Sequence, residues 1–540
     1  MILFRLALRS HRTGAIATLA IASLTGLGNS IGYAVIAGPT PEERALFGRQ
    51  MSLLGQQLTY LLPPPLDLDT MGGYLQWRNY GTLAVFFGVW ALLAAAGVRG
   101  DEERGIVETW LAVGASRAGY LASRLAGFAV VALVVVAASV GITDVGAIVG
   151  GDSSLGGPLA FEALALLAFT VCIFGMSLVV AQVAGTGRSA GGVGAIVLAA
   201  LFIANSAARS GVGPAWLADV TPFGAYDRDA PLRPSGAFDP AATGALLAAT
   251  ILFGALAFAA FVRRDLGGTV GLVRVRSSAP ATTRPAGDPL LRLPVLAAIT
   301  QQRTWLAGWS IGFAVMGAFL ASLTRVLLDS LGAIPAMRVY LDRLGGGGYD
   351  SFAGIMWLST AMLVISAFTV AQVGGWASED GDGRLEALLA QPVSRARVVL
   401  ERLASFMLGA AFLVAVGAIA VLVVGAGRGL ELSPTRQLGG AALMLSVPFA
   451  LAAIGATIAA WRPRLAVAVI AAVALWSYLI QQFAALFGWP DWLARTSLFA
   501  LFGNPLAGDV DWPGIGALLG IGVVATGTAI VSLQHRDVGR

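Results

Sequence analysis

Lysine is absent from this sequence: all 35 side chains counted as lysine or arginine are arginine. A phosphate loop of the Gly-x-x-x-x-Gly-Lys-Ser/Thr type needs its lysine on the β- and γ-phosphates, so no such nucleotide site is carried here. Schiff-base chemistry and a lysine general base are excluded on the same ground. A single cysteine, Cys172, rules out an intrachain disulfide framework or thiolate cluster. The two histidines, His11 and His535, stand at opposite ends of the sequence, which argues against a histidine metal site. Charge is scarce too. Charged residues make up 12% of the chain and hydrophobic ones 57%, against roughly 25% charged in soluble domains. That deficit excludes an ordinary soluble enzyme and a disordered chain.

Apolar runs are abundant. A bilayer core needs ~20 consecutive apolar residues per helix. Twelve such runs lie near 14–37, 80–98, 125–143, 158–184, 192–208, 243–262, 305–324, 353–376, 402–427, 437–460, 465–487 and 513–533. The first is long and contains Asn29 and Tyr33, so it reads as a retained span and not as a signal peptide. The fold class expected is an all-α polytopic membrane protein. With both termini in the cytoplasm, inside segments hold 23 arginines and outside segments 12. Net charge is then +11 inside and −5 outside, as the positive-inside rule requires. The arginines are spread over short loops without interleaved aromatics, which excludes a nucleic-acid footprint. The expected location is the plasma membrane.

The chain is also made twice. Asp101–Arg117 aligns with Glu379–Arg395 at an offset of 278, placing Gly105 on Gly383, Glu108 on Glu386, Leu111 on Leu389, Ser116 on Ser394, Arg117 on Arg395 and Arg124 on Arg402. Pro-Ala-Trp-Leu-Ala at 214–218 falls on Pro-Asp-Trp-Leu-Ala at 490–494. Each half holds six spans, an even number, so the halves run in the same direction. The predicted organisation is a first repeat over 1–263, a polar Ser/Pro/Thr/Gly-rich linker over 264–295, and a second repeat over 296–540.

The repeated segment after the second span of each half is too polar to cross a membrane and too short to form a domain. Glu108, Leu111 and Ala115, and likewise Glu386, Leu389 and Val393, are spaced for one face of a short amphipathic helix. Acidic residues lead (Asp101, Glu102, Glu103; Glu379, Asp380, Asp382) and arginines follow, which complements the helix dipole. An acidic cluster, a glycine, a glutamate three residues on, apolar residues and then x-Ser-Arg, placed after a second span, resembles the permease of ABC-2-type transporters. The fused twelve-span form resembles the group described as exporters of polyketide antibiotics in actinobacteria. Arg5–Arg12 is similar to that family's interfacial helix before the first span, and 291–304 repeats it less clearly.

That resemblance implies two tandem six-span repeats whose coupling helices each dock on one copy of a separate ABC ATPase. ATP and magnesium would sit on that partner, with no cofactor bound by this chain. The implied docking residues are Glu102, Glu103, Gly105, Glu108, Leu111, Ser116 and Arg117, then Asp382, Gly383, Glu386, Leu389, Pro392, Ser394 and Arg395. The first copy departs from the pattern, with Val113-Gly114 where the second has Gln391-Pro392. The implied role is ATP-driven export of a hydrophobic or amphipathic solute, such as a drug, an antibiotic or a lipid-like molecule. Spans two, five, eight and eleven would line its route, with candidates Phe86, Phe87, Trp90, Asn205, Met356, Trp357, Tyr478 and Gln482; each of these also suits plain packing. Glu162 is the one carboxylate expected inside a span, near its outer end, where local pairing and solute contact are both open. An ion-driven secondary transporter needs more buried ion ligands than Glu162. A lipid-modifying membrane enzyme needs acidic residues at a membrane face and a soluble loop.

Overall fold

The computed structural model describes residues 2–59, 61–211, 213–268, 293–332, 352, 354–381, 383–507 and 509–536. These residues are almost wholly helical, and a two-residue antiparallel pairing of Gly503–Asn504 with Asp509–Val510 is the one sheet among them. Among the described residues, twelve helices are long and apolar enough to cross a membrane. In the first half they are Ile2–Ile36, Met71–Glu103, Arg117–Val149, Gly156–Val183, Ser189–Arg209 and Pro240–Arg263, here spans 1 to 6. In the second they are Trp305–Thr324, Met356–Glu379, Arg395–Gly427, Pro434–Trp461, Pro463–Gln481 and Trp512–His535, spans 7 to 12. The chain is thus an all-α, multi-pass membrane protein. It divides into two compact units, residues 1–281 and 282–540.

Several boundaries differ from the hydropathy reading, each for a physical reason. The interfacial helix expected over Arg5–Arg12 is continuous with span 1, giving one helix over Ile2–Ile36. In the second unit the matching segment is a separate helix, Pro294–Gln301, with proline in its first turn. Span 2 begins at Met71, well before the apolar run, because Gln76 and Asn79 lower its hydropathy yet are both buried and bonded to other side chains. Its first turns widen into a π-turn over Leu75–Tyr80, and span 8 opens on a matching π-turn over Gly354–Leu358. Single π-turns of this kind often mark functional positions. The loop between spans 1 and 2 forms a helix, Pro41–Gln57, started by a capping box between Thr40 and Glu43. Most of the loop expected over 325–352 lies outside the described residues.

Within unit 1, span 1 packs on span 3 through small residues, as membrane helices do when backbones approach closely. A Cβ added at Gly127 would lie 2.6 Å from the Ala7 Cβ, and one at Gly146 would lie 3.1 Å from the Ser30 Cβ. Gly127→Leu is therefore expected to cost about 1–3 kcal/mol by overpacking. Gly141→Leu, where an added Cβ meets no atom within 4 Å, is the control. Melting of both purified variants in detergent checks the difference. In unit 2 the core is aromatic: Phe313 meets Trp357 edge-on at 5.1 Å between ring centres, and Phe368 stacks on Phe406 at 5.7 Å.

Candidate functional site: two helical elbows

Each unit turns from its second to its third span through the same construction. Span 2 ends at Glu103, and Gly105 follows with φ +71°; span 8 ends at Glu379, and Gly383 follows with φ +71°. That left-handed backbone is favourable for glycine and strained for any residue with a Cβ. It reverses the chain into a short helix, Ile106–Ala112 in unit 1 and Arg384–Leu389 in unit 2. One apolar side chain anchors each helix: Val107 and Leu385, 278 positions apart, are both buried. Neither was singled out by the spacing, which placed Glu108 and Leu111 on the marked face. Ala115 and Val393 lie beyond the helix ends, so the expected face is one turn shorter than the sequence pattern suggested. No side chain crowds either glycine within 4 Å. Gly105→Ala and Gly383→Ala are therefore tests of backbone strain alone. Each is expected to cost about 1–2 kcal/mol, read as a lower melting temperature, whereas Gly100→Ala, equally uncrowded but helical, should not.

The serines and arginines after the short helices are structural anchors. Ser116 caps the helix of span 3 by accepting from the Gly119 backbone N–H at 3.0 Å, and Ser394 caps span 9 by accepting from the Arg397 N–H at 3.2 Å. Arg117 donates to the Arg264 carbonyl at 2.6 Å and the Val262 carbonyl at 3.4 Å, the end of span 6. Arg395 donates to the carbonyls of Leu533, Gln534 and Arg536 at 2.6, 2.9 and 2.8 Å, the end of span 12. In each unit an arginine thus completes the unpaired carbonyls of the sixth helix, where a cation also suits the dipole.

An ion pair closes each elbow. Asp101 pairs with Arg124, and Glu379 pairs with Arg402; both partners are shifted by the repeat offset. The first pair is buried and reinforced by Tyr120, whose hydroxyl donates to Asp101 at 3.0 Å and accepts from Arg124 Nε at 3.1 Å. Unit 1 adds a second cage. Glu102 is only 4% exposed, so it faces inward and is not part of a docking surface. It accepts from Arg99 at 2.7 Å, from Arg264 at 2.5 and 2.6 Å, and from the Gly267 backbone N–H at 2.9 Å. Arg264 and Gly267, assigned by the sequence to a linker, are thereby packed into unit 1. Ala377 stands in unit 2 at the position of Arg99. Glu103 is exposed and accepts from the Gly187 N–H at 3.0 Å. Glu108, Glu386 and Pro392 are exposed, and Leu111 and Leu389 are half-buried. Asp382 lies outside the described residues.

At the opposite end of unit 1 Glu162 is fully buried. Gln76 Nε2 donates to it at 2.9 Å, and the Tyr226 hydroxyl donates to its other oxygen. Gln76 in turn accepts from the Leu232 N–H at 3.2 Å. Asn205 and Arg209 donate to Asp227 at 2.7 and 2.8 Å, and Thr243 donates to Asp229 at 2.7 Å. Burial pushes the Asp229 carboxyl above its usual range, although Thr243 and the Asp239 N–H stabilise its charged form. The loop between spans 5 and 6 is thus pinned to spans 2, 4, 5 and 6 by hydrogen bonds. Glu162 serves in this local network, and Asn205 is spent on Asp227.

The candidate route residues are similarly sorted by their surroundings. Phe87, Trp90 and Trp357 are buried within their own units, Trp90 against Phe128 at 5.0 Å and Trp357 against Phe313. This corrects their assignment to an open path: close packing makes them core residues. Phe86 is 44% exposed, and Met356 and Tyr478 are half-buried. The Gln482 side chain lies outside the described residues.

Two six-span units, each with an anchored elbow helix at its arginine-rich end, define a polytopic transport permease. The chain belongs to the family described as "Multidrug efflux system permease Rv1217c, C-terminal domain", whose model matches residues 72–262 and 291–534. It is also similar to the multidrug efflux system permease protein Rv1217c of Mycobacterium tuberculosis (strain ATCC 25618 / H37Rv), with 25% identity over 525 residues that cover 92% of this chain and 85% of the relative. By that family the chain is the membrane permease subunit of an exporter.

Proposed function

We propose that the chain is the permease of an ATP-driven exporter, and that two copies of a separate ATPase dock on it, one at each elbow helix. The observation that carries this reading is the elbow built twice, with its exposed carboxylate, Glu108 or Glu386, in the first turn of the short helix. An exposed acidic helix start offers charge-assisted bonds to arginine or lysine on a partner. Both termini and both elbows then face the cytoplasm, in line with the arginine bias of the loops, and the membrane is the plasma membrane. ATP and magnesium belong to the partner, since the lysine-free chain has no phosphate loop of its own.

The elbow's anchors explain how a push becomes motion. The short helix is joined by short turns to the second and third spans, the Asp101–Arg124 or Glu379–Arg402 pair ties those spans together, and Arg117 or Arg395 ties the third to the sixth. A displacement at the docking helix therefore reaches three spans of its unit as one body. The solute is a hydrophobic or amphipathic drug-like or lipid-like molecule, in keeping with the relative's name and with the apolar exposed faces of the spans. Ion-driven transport is the weaker reading, because Glu162 is sealed by Gln76 and Tyr226. The test is co-expression with candidate ABC ATPase subunits from the same genome. Co-purification of two ATPase copies per permease, with ATP hydrolysis stimulated by hydrophobic drugs, supports the proposal; a permease that exports without any ATPase refutes it.

A further inference from the structure

Between them, spans 10 and 12 form an open lateral groove of about 420 Å³ in unit 2. Ile454 and Ile458 form one wall, and Gly520 and Val524 the other. Its two hydroxyls are already spent on the backbone: Thr457 donates to the Ala525 carbonyl at 2.7 Å and Thr528 to the Val524 carbonyl at 2.8 Å. The surface is therefore apolar in chemistry as well as composition. From Gly520 to Thr528 it runs about 12 Å along span 12 at 1.5 Å per residue. At the arginine-rich end span 10 finishes in Trp461 and Arg462, and span 11 opens with Pro463 and Arg464; Trp461, Arg462 and Arg464 are all exposed. The Arg462 guanidinium lies 5.2 Å from the Trp461 ring centre, an aromatic–arginine pair of the kind found at headgroup level.

The first unit is not built this way. Asp239 and Asp511 cap spans 6 and 12 equivalently, which aligns the two helices over 24 residues each. On that alignment Phe253 and Leu256 stand where Ala525 and Thr528 open the groove. Spans 4 and 10, each of 28 residues, align in the same way, and Val183-Ala184 stands where Trp461-Arg462 lies. The groove and the Trp461-Arg462 pair are thus present together in one unit and replaced together in the other, while Arg464 keeps a counterpart in Arg188 at the repeat offset of 276.

We propose that this groove holds one acyl chain of an anionic phospholipid, whose phosphate is held by Arg462 and Arg464. An extended apolar slot matches a chain in an environment made of such chains, and the exposed arginines that follow Ile458 by one turn or more, Arg462 and Arg464, complement a negative headgroup. The inference is independent of the ATPase reading.

The full-length chain, stripped in mild detergent and titrated with phosphatidylglycerol or phosphatidylcholine of matched tails, is read by native mass spectrometry. Wild type should keep phosphatidylglycerol in preference. Arg462→Gln with Arg464→Gln should weaken its retention roughly tenfold to thirtyfold and leave phosphatidylcholine unchanged. Ala525→Phe with Thr528→Leu, which imitates the filled first unit, should lower retention of both lipids. Melting of each variant verifies that it folds. Equal retention of the two lipids by wild type overturns the proposal. So does an arginine effect without a groove-filling effect, which leaves only general surface attraction, or a wild-type dimer that the filled variant disrupts, which makes this face a contact between copies.

Discussion

Glu108→Arg combined with Glu386→Arg is expected to abolish drug-stimulated ATP hydrolysis and drug efflux while the permease still folds and reaches the membrane. Both carboxylates are exposed, each in the first turn of its elbow helix. Substitutions at exposed positions cost the fold little, within about 0.5 kcal/mol. At a docking surface the same change replaces an acceptor with a like charge facing the partner's donors. Losses of about 2–4 kcal/mol are typical of such interface positions, equivalent to roughly 30- to 1,000-fold weaker docking. Single variants should fall between wild type and the double variant. Glu431→Arg, an exposed change in the loop beyond span 9, should leave coupling intact. The measurement is ATPase co-purification together with efflux of a hydrophobic dye from cells, at matched expression. Full coupling in the double variant would remove the two carboxylates from the docking role.

The second large effect is on stability. Glu102→Ala is expected to destabilise unit 1 by about 3–5 kcal/mol, the usual result when one side of a buried ion pair is deleted. Arg99 is 2% and Arg264 9% exposed, and each aims at the Glu102 carboxylate. Alanine leaves both guanidinium groups buried without it and takes the acceptor from the Gly267 N–H. Glu102→Gln, which keeps one acceptor oxygen but no charge, should recover part of the loss. Glu103→Ala removes one exposed hydrogen bond, to the Gly187 N–H, and should cost no more than about 1 kcal/mol. Melting and denaturant titration of the purified variants separate these three outcomes. A Glu102→Ala protein as stable as the Glu103→Ala one would show that the cage holds nothing together. The residues are adjacent and chemically identical in sequence, so this contrast isolates what burial does.

How much of this was readable in the sequence follows from which signals are local. Twelve spans are legible because hydropathy is a property of consecutive residues. The elbows are legible because Gly105 and Gly383, with Ser116–Arg117 and Ser394–Arg395, repeat at a fixed offset. Direction within the elbow was not. Glu102 and Glu103 read alike, yet one is enclosed by Arg99 and Arg264, residues 3 and 162 positions away. The second separation is invisible to any helical periodicity. Asp101–Arg124 and Glu379–Arg402 are legible as pairs, since both members recur at the repeat offset of 278. Val107 and Leu385 were similarly in register. The polar start of span 2 is hidden from hydropathy, which counts Gln76 as unfavourable although Glu162 accepts its hydrogen bond. Phe87, Trp90 and Trp357 were placed on a solute path by residue type, whereas neighbouring rings decide whether an aromatic side chain packs or lines a route.

The central claim is that the two short helices receive a partner from the cytoplasm. Cys172 is buried, so a cysteine introduced at an exposed elbow position is the accessible thiol among the described residues. Val113→Cys and Pro392→Cys, each just past its elbow helix, provide that thiol without touching an anchor. The deciding measurement is site-specific cross-linking from these two positions in membranes that contain the co-expressed ATPase. A permease–ATPase adduct is expected from each position, lost when Glu108→Arg or Glu386→Arg is added in the same unit. Absence of an adduct from both positions, while the complex exports drug normally, would contradict it.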